Sequence, residues 1–305
     1  MRFAFIQKHR GLWPVTFQCR VLGVTRHGYS TWCKRQKHPG ARQQEDARLL
    51  LQIKAAHRRG RGKYGSPRVF RALRDQGVRV SRKRIARLMR EAGLRGVWRG
   101  RRQPRTTQSN HRLPVAHNLL ERRFSPEQVG RLNQAWCGDI TYIATAEGWL
   151  YLATVQDLFS RRIIGWSLGE SLEAELVCDA FERAAKTRGF ACPVGAGKLF
   201  HSDRGSQYAS ELFGKALKKH GFVPSMSRTA NCWDNAVAES FFGTYKSELV
   251  AEQPGDRFVS KKQAYCLTAD YIENFYNRVR LHSTLGYRSP VLFELAHQMG
   301  QMSSF

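Results

Sequence analysis

The chain has 305 residues, enough for about two domains, and carries a formal net charge of +27. Residues 1–135 hold 33 of the 51 Lys and Arg residues but only 6 of the 24 Asp and Glu residues, so the entire positive excess lies there. A basic module joined to a neutral one is typical of a nucleic-acid-binding protein. The sequence has no run of 18 apolar residues and no apolar signal segment, so we expect a cytoplasmic protein, associated with the nucleoid when it binds DNA, and no membrane partner.

The cysteines and histidines give no sign of a structural metal. The seven cysteines are odd in number and scattered, without a C-x-x-C pair, which is typical of reduced thiols. No Cys/His group has the spacing of zinc ligands, so we predict no structural zinc.

The first 97 residues are predicted to be helical. Residues 1–44 form a basic N-terminal segment with a short helix and a turn at Gly28. Residues 45–97 are predicted to form an all-α helix-turn-helix DNA-binding region. Within it, Ser66 begins one short helix and Ser81 caps a second.

The second of these helices carries a row of basic side chains: Arg82, Lys83, Arg84 and Arg87. Such a row often serves only to keep one helix face solvated. Because the whole basic excess lies in this half of the chain, we favour contact with DNA.

Beyond residue 97 the composition and hydrophobic pattern of the chain change twice. Residues 98–131 are rich in Arg and contain three prolines, which predicts a basic, mostly extended linker. Residues 132–292 then predict three strands followed by alternating helices and strands, in the order βββαβαβα, and a further helix near 261–277. This order indicates an α/β fold with a mixed sheet and flanking helices, and residues 293–305 are predicted to be a tail.

Three acidic side chains fall on structured elements of this α/β region. Asp139 lies on the first strand, Asp203 at the end of the fourth, and Glu239 on the last helix of the series. The end of a strand in an α/β fold is where ligands usually bind, but Asp203 could instead cap a helix beginning at Ser206. Two carboxylates about 4 Å apart repel by roughly 4 kcal/mol at an effective dielectric of 20, so a converging trio would favour Mg²⁺. Spacing alone leaves open whether the three converge.

The residues around these acids carry a family resemblance. The segments "WCGDIT", "HSDRGSQY" and "NAVAESFFGTYKSE", with 35 residues between Asp203 and Glu239, resemble the DDE motif of retroviral-integrase-like transposases. Four further segments extend the resemblance over nearly the whole chain: "YGSPRV", "RLMREAGLRG", "DLFSRRIIGWSL" and "YNRVRLHSTLGYRSP". The chain most resembles the OrfB-type catalytic protein of bacterial insertion sequences.

The resemblance implies a fold, an activity and a site. The fold is an RNase H-like integrase catalytic core, and Asp139, Asp203 and Glu239 are implied to be both catalytic and metal-ligating. The implied cofactor is Mg²⁺, with two ions expected and Mn²⁺ able to substitute. The implied activity is that of a DNA transposase, a polynucleotidyl transferase that cleaves strands at the insertion-sequence ends and transfers them, in DNA transposition, integration and recombination.

Further residues around the site have expected roles. Asn235 and Lys246 lie four before and seven after Glu239, so we expect them near its helix face, and we assign both to DNA contact, with a plain surface lysine as the alternative for Lys246. The resemblance implies contact of Lys246 with the element's terminal DNA. Asp157 is expected to accept hydrogen bonds from the following turn, and Trp233 to be a packing residue flanking the site. His282 belongs to a family motif whose role the sequence does not indicate.

The expected partners are the insertion-sequence ends and target DNA. Because two DNA ends must meet, we expect a homo-oligomer on DNA, and a fusion with an upstream-frame DNA-binding protein is a further candidate. Two other functions remain open: an RNase H-like nuclease that cleaves without strand transfer, and a non-enzymatic DNA-binding repressor.

Overall fold

A computed structural model of the chain describes residues 1–37, 40–97, 113–189, 197–228 and 232–302. Residues 98–112 of the predicted linker lie outside these ranges. The chain divides into two compact units, Met1–Arg58 with Val69–Arg95, and Arg59–Arg68 with Gly96–Phe305. No helix in the described segments combines the length and hydropathy needed to cross a bilayer.

The described part of the first 97 residues contains six helices. They are α1 (Arg2–Lys8), α2 (Val15–Val21), α3 (Arg26–Lys37), α4 (Ala41–Arg59), α5 (Ser66–Asp75) and α6 (Arg82–Glu91). Helices α1 to α3 pack around Ile6, Cys19 and Tyr29. The turn predicted at Gly28 is wrong, because Gly28 lies inside α3 and donates its amide to the Thr25 hydroxyl at 3.0 Å, in the first turn of that helix.

Helices α5 and α6 form the pair predicted from their capping residues. The Ser81 hydroxyl accepts a hydrogen bond from the Arg84 amide at 3.2 Å, which confirms Ser81 as the cap of α6. Gly77 and Gly93 follow the two helices with φ of +79° and +68°, in the left-handed region that ends helices.

The second unit is built on a five-stranded mixed sheet. Its strands are β1 (Ala135–Thr145), β2 (Gly148–Asp157), β3 (Ile163–Gly169), β4 (Lys198–Ser202) and β5 (Phe222–Met226), in the spatial order β3-β2-β1-β4-β5. β1, β2 and β3 pair antiparallel, whereas β4 pairs parallel with β1 and β5. This confirms the predicted α/β architecture, because a hairpin meander is followed in sequence by strand–helix crossovers.

Helices flank this sheet. They are α7 (Pro126–Val129), α8 (Ala174–Thr187), α9 (Glu211–Lys219), α10 (Ala236–Glu248), α11 (Lys261–Ala269) and α12 (Pro290–Met302). Helix α9 begins after Ser210, whose hydroxyl accepts from the Phe213 amide at 3.2 Å, so the predicted start at Ser206 is wrong. Most of the predicted tail is helical, because α12 extends through it.

The two faces of the sheet bury different side chains. One face packs α8 and α9 over an aromatic cluster that includes Trp136, Phe181 and Phe200. The other face packs Cys137 of β1 against Val237 and Ala238 of α10. Because alternate strand residues point to opposite faces, Asp139 shares the face of Cys137 and is directed toward the α10 side.

Candidate active site

The strand register places two of the predicted acids side by side. Cys137 of β1 pairs with His201 of β4, and the same offset continued by two residues pairs Asp139 with Asp203. Asp203 is the first residue after β4, so it lies at the carboxyl end of a parallel strand. Both acids therefore lie at the same edge of the β1–β4 pair.

Backbone amides hold these two carboxylates. Asp139 Oδ1 accepts a hydrogen bond from the Ile140 amide at 2.9 Å, and Asp203 Oδ1 accepts one from the Gly205 amide at 3.0 Å. A Cβ at position 205 would lie 3.1 Å from Asp203 Oδ1 and 3.0 Å from Gln207 Oε1. Glycine at 205 thus lets the chain turn sharply beside the carboxylate.

The charges of the three acids act on one another. Burial raises the pKa of Asp139 well above its usual range, and the charge of Asp203 is the next cause, with Glu239 also contributing. Lys246 acts in the opposite direction and favours the ionised form of Asp139. Burial lowers the pKa of Lys246, against which the charge of Asp139 acts. The structure thus brings Asp139, Asp203, Glu239 and Lys246 into one electrostatic environment.

The three carboxylates are chemically suited to bind a hard divalent cation, but their positions in this structure do not form a complete metal site. Three carboxylates supply the oxygen ligands that Mg²⁺ prefers, and a cation would offset their mutual repulsion. Among the described residues, however, no three His, Cys, Asp or Glu side chains are arranged to hold a metal ion. Glu239 is exposed on α10, whereas Asp139 is partly buried, so binding would require these carboxylates to converge.

The start of α10 differs in part from the expectation. Asn235 ends the short 3₁₀ turn before α10 and is buried, and its Oδ1 has no hydrogen-bond partner in the described part of the chain. Its contact with DNA stays a prediction. Trp233, expected to pack, is 70% exposed. The expectation for Asp157 is confirmed: its Oδ1 accepts from the amides of Phe159 and Ser160 at 2.9 and 3.1 Å.

Asp234 is a buried carboxylate whose importance the sequence did not indicate. It accepts hydrogen bonds from Asn118 Nδ2 at 3.0 Å and Arg122 Nε at 2.8 Å. Arg228 donates to it through its amide and two guanidinium nitrogens, at 2.9 to 3.0 Å. Asn118 and Arg122 are far away in sequence, so no local pattern reveals them. Together these contacts connect the segment before α10 to residues that precede β1.

Replacing Asp234 by asparagine is expected to destabilise the protein in a pH-dependent way. The Arg228 hydrogen bonds, supported by Arg122, hold the pKa of Asp234 well below its usual range. The ionised form therefore stabilises the fold above the unfolded pKa of about 3.9, and this stabilisation is lost as pH falls below it. Both arginines are partly exposed, so we expect a loss of about 1–3 kcal/mol at neutral pH.

Denaturant unfolding of wild type and Asp234→Asn between pH 7 and pH 3 measures this effect. The difference should shrink toward the acidic end, and Asp179→Asn, on an acid of α8, should show little change. A difference that stays constant over this range would show that the Asp234 charge contributes nothing.

The basic row on α6 divides into two pairs. Arg82 and Lys83 are exposed. Arg84 Nε and an Arg87 terminal nitrogen each donate to Asp46 of α4 at 2.7 Å. Arg84 and Arg87 therefore form ion pairs with α4. The sequence did not predict these ion pairs because Asp46 lies on another helix.

The comparison with protein families agrees with this architecture. Models described as "Integrase core domain" match residues 130–232 and 220–290, and one described as "HTH-like domain" matches residues 43–102. These matches define a class of protein that joins an integrase core to a helix-turn-helix-like domain.

Two curated relatives identify the family. The 31 kDa protein of insertion element IS600 from Shigella sonnei is 44% identical over 282 residues, covering 92% of this chain and 99% of that protein. "Transposase InsF for insertion sequence IS3A" from Escherichia coli K12 is 40% identical over 294 residues, covering 96% and 98%. The chain belongs to the transposase family of IS3-type insertion elements, which confirms the predicted family and the function of transposase.

A solved structure is similar at a lower level. The magnesium complex of the HTLV-2 integrase catalytic core domain has a TM-score of 0.39 and 15% identity, and the match covers 53% of this chain and 96% of that one.

Proposed function

We propose that this transposase cleaves one strand at each end of its insertion element and joins the freed 3′-hydroxyl to another phosphodiester, with Asp139, Asp203 and Glu239 as the catalytic acids. One P–O bond forms as another breaks in the joining step, so it needs no covalent protein–DNA link. The observation that supports this most is the strand register that sets Asp139 beside Asp203, where burial and then the charges of Asp203 and Glu239 raise the pKa of Asp139.

A bound divalent cation supplies Lewis acidity toward the scissile phosphate and neutralises the three carboxylates. Asp139 and Asp203 are oriented by the Ile140 and Gly205 amides, so they would bind it without losing much side-chain freedom. Glu239 is exposed on α10, so its carboxylate would move toward the cation and the other two carboxylates. Two Mg²⁺ ions, with Mn²⁺ as a substitute, are the expected complement.

When DNA binds, the Lys246 ammonium is proposed to leave Asp139 and pair with a phosphate of the DNA. Without DNA its ammonium lies in the field of Asp139. Neutralisation of Asp139 by a cation would weaken that attraction and leave the ammonium available for a phosphate of the terminal DNA. This keeps the role that the resemblance implies for Lys246.

The proposed partners are the element's ends and target DNA, with two or more copies of the chain acting together. Bringing two ends into one complex requires at least two binding surfaces, which one helix-turn-helix region per chain supplies in a homo-oligomer. Action with an upstream-frame DNA-binding protein, and a cytoplasmic, nucleoid-associated location, belong to the same proposal.

A strand-transfer assay tests the proposed function. Purified protein is incubated with a labelled duplex carrying the element's end and an unlabelled target, with Mg²⁺ or with a chelator. The proposal predicts a Mg²⁺-dependent product in which the label is joined to a new strand. Cleavage without joining would instead indicate a nuclease, and tight binding without any product would indicate a repressor.

The exposed pair on α6 is proposed to bind DNA phosphates. For Arg82→Gln/Lys83→Gln we expect the slope of log affinity against log salt to fall by about 0.9 for each phosphate that the variant no longer neutralises. DNA binding measured across a salt series tests this. Arg257→Gln/Lys262→Gln removes the same charge from exposed residues of the other unit. An equal change of slope in both double variants would contradict a specific role for α6.

A further inference from the structure

A cavity of about 590 Å³ lies along α10, beside the helix face that carries Glu239. With 3.6 residues per turn, Glu239 and Lys246 occupy one face of this helix, whereas Ser240, Thr244 and Ser247 lie about a third of a turn around it. Those three side chains line the cavity. The volume is in the range typical of sites for small molecules.

The opposite wall of the cavity is cationic. Arg280 is neutralised, because its guanidinium donates to both carboxylate oxygens of Glu248 at 2.8 Å. Arg68 and Arg161 also line the cavity, but each donates to a backbone carbonyl, that of Leu281 at 3.0 Å and that of Phe124 at 2.6 Å. In the described ranges no carboxylate forms an ion pair with Arg68 or Arg161; Glu248 and Asp157 act on them only from farther away, so the residues lining the cavity carry a net positive charge.

Burial makes these two charges costly. It is the main cause that lowers the pKa of both Arg68 and Arg161, and the neighbouring charge of Arg280 lowers that of Arg68 further. Arginine remains protonated in proteins, so burying these two guanidinium groups costs folding free energy. An anion in the cavity would offset it.

Two buried nitrogen atoms at the cavity have no hydrogen-bond partner among the residues that the structure describes. They are Arg161 Nε and His282 Nε2. The His282 ring is 8% exposed and stands edge-on to Tyr276, with 4.7 Å between the ring centroids, so its orientation is fixed. An unsatisfied buried polar atom costs about 1–3 kcal/mol. Arg161 Nε would donate to an oxygen of a phosphate ligand. Burial and the neighbouring arginines lower the pKa of His282, so its Nε2 would accept from a P–OH group, or donate once the bound anion offsets those arginines and the ring takes up a proton.

Arg161 also has an unusual backbone conformation. Its φ is +62°, in the left-handed region that side-chain-bearing residues seldom adopt. The Gln156 side chain holds this turn by donating to the Arg161 carbonyl at 2.7 Å. Backbone strain of this kind is typical of ligand-binding positions.

We propose that this cavity is a binding site for a phosphate group, held by the guanidinium groups of Arg68 and Arg161 and by His282. Arginine is the side chain best suited to phosphate, because its planar fork can donate two parallel hydrogen bonds. The phosphate can belong to a nucleic-acid strand or to a free nucleotide, and both share the chemistry that the cavity recognises. This site is separate from the three acids and does not depend on the proposed strand transfer.

Calorimetric titration of the full chain in chelator-containing buffer tests the site without any metal at the acids. The probes are inorganic phosphate and a deoxynucleoside 5′-monophosphate, with a DNA duplex added as competitor. We expect saturable binding by wild type and at least a tenfold weaker affinity in Arg161→Gln and in His282→Gln, about the value of one charge-assisted hydrogen bond. Arg257→Gln removes an exposed charge and should leave the affinity within about twofold.

The competitor identifies the source of the phosphate. Displacement of the bound probe by the duplex would support a nucleic-acid phosphate, and tighter binding of the nucleotide without displacement would support a free nucleotide. If Arg161→Gln fails to fold, His282→Gln still tests the site, because it keeps a polar side chain and all the arginines. A thermal melt of each variant checks that it is folded. Absence of saturable binding by wild type in the millimolar range, or equal losses in Arg257→Gln and His282→Gln, would overturn the proposal.

Discussion

Replacing Glu239 by glutamine is expected to reduce strand cleavage and joining by roughly 10³-fold. Glutamine keeps the size of the side chain but removes the negative charge that would hold a cation beside Asp139 and Asp203. DNA affinity should stay the same or rise slightly, because an exposed anion on α10 disappears. The rate is measured in the strand-transfer assay and the affinity by titration of the same duplex.

Glu211→Gln is the matched control for this variant. Glu211 is an exposed acid at the start of α9 that pairs with Lys215 at 2.8 Å, on the same helix. Its replacement should leave cleavage and joining within about twofold, as expected for a surface ion pair. A Glu239→Gln variant as active as Glu211→Gln would exclude Glu239 from the catalytic acids.

Replacing Gly165 by alanine is expected to destabilise the second unit by about 3 kcal/mol. Gly165 lies in β3 where α8 crosses it. A Cβ there would lie 2.2 Å from the Ala180 carbonyl oxygen and 2.5 Å from the Ala184 amide nitrogen. Both are helix backbone atoms that cannot rotate away, so α8 would have to move off the sheet. Denaturant or thermal unfolding measures the loss of stability.

Gly214→Ala is the matched control, and it is expected to stabilise the protein. Gly214 lies within α9, and an added Cβ would have no atom of the described residues within 4 Å. Alanine should therefore stabilise the helix by up to about 1 kcal/mol. If Gly165→Ala were as stable as Gly214→Ala, the close packing of α8 on β3 would be wrong.

Local patterns predicted the elements well because their causes are local. Ser81 signals the start of α6 through its own hydroxyl, and the β-branched and aromatic residues of β1 to β3 fit strands that are packed on both faces of the sheet. The three acids could not be recognised as a site from local patterns. Their spacing did not decide whether they form a metal site or are separate surface charges. The flanking segments supplied the family, and the strand register then brought Asp139 and Asp203 together.

The features that local patterns did not predict are contacts between residues distant in sequence and choices between similar local signals. Asp46 occupies the Arg84 and Arg87 side chains from another helix, and Asp234 is buried by residues from two other segments. Ser206 and Ser210 are both plausible caps, and only the geometry of the turn after Asp203 selects Ser210. The cavity along α10 requires the packing of several separate segments, which no pattern in the chain reveals.

Asp139, Asp203 and Glu239 are proposed to form one cation site when the protein is bound to DNA. The measurement that tests it most directly is the amount of Mn²⁺ bound, by electron paramagnetic resonance, to the protein in complex with the end duplex. Wild type is expected to bind Mn²⁺ in competition with Mg²⁺, and Asp203→Asn is expected to lose that binding while retaining the duplex. Equal Mn²⁺ binding by wild type and Asp203→Asn would contradict the claim.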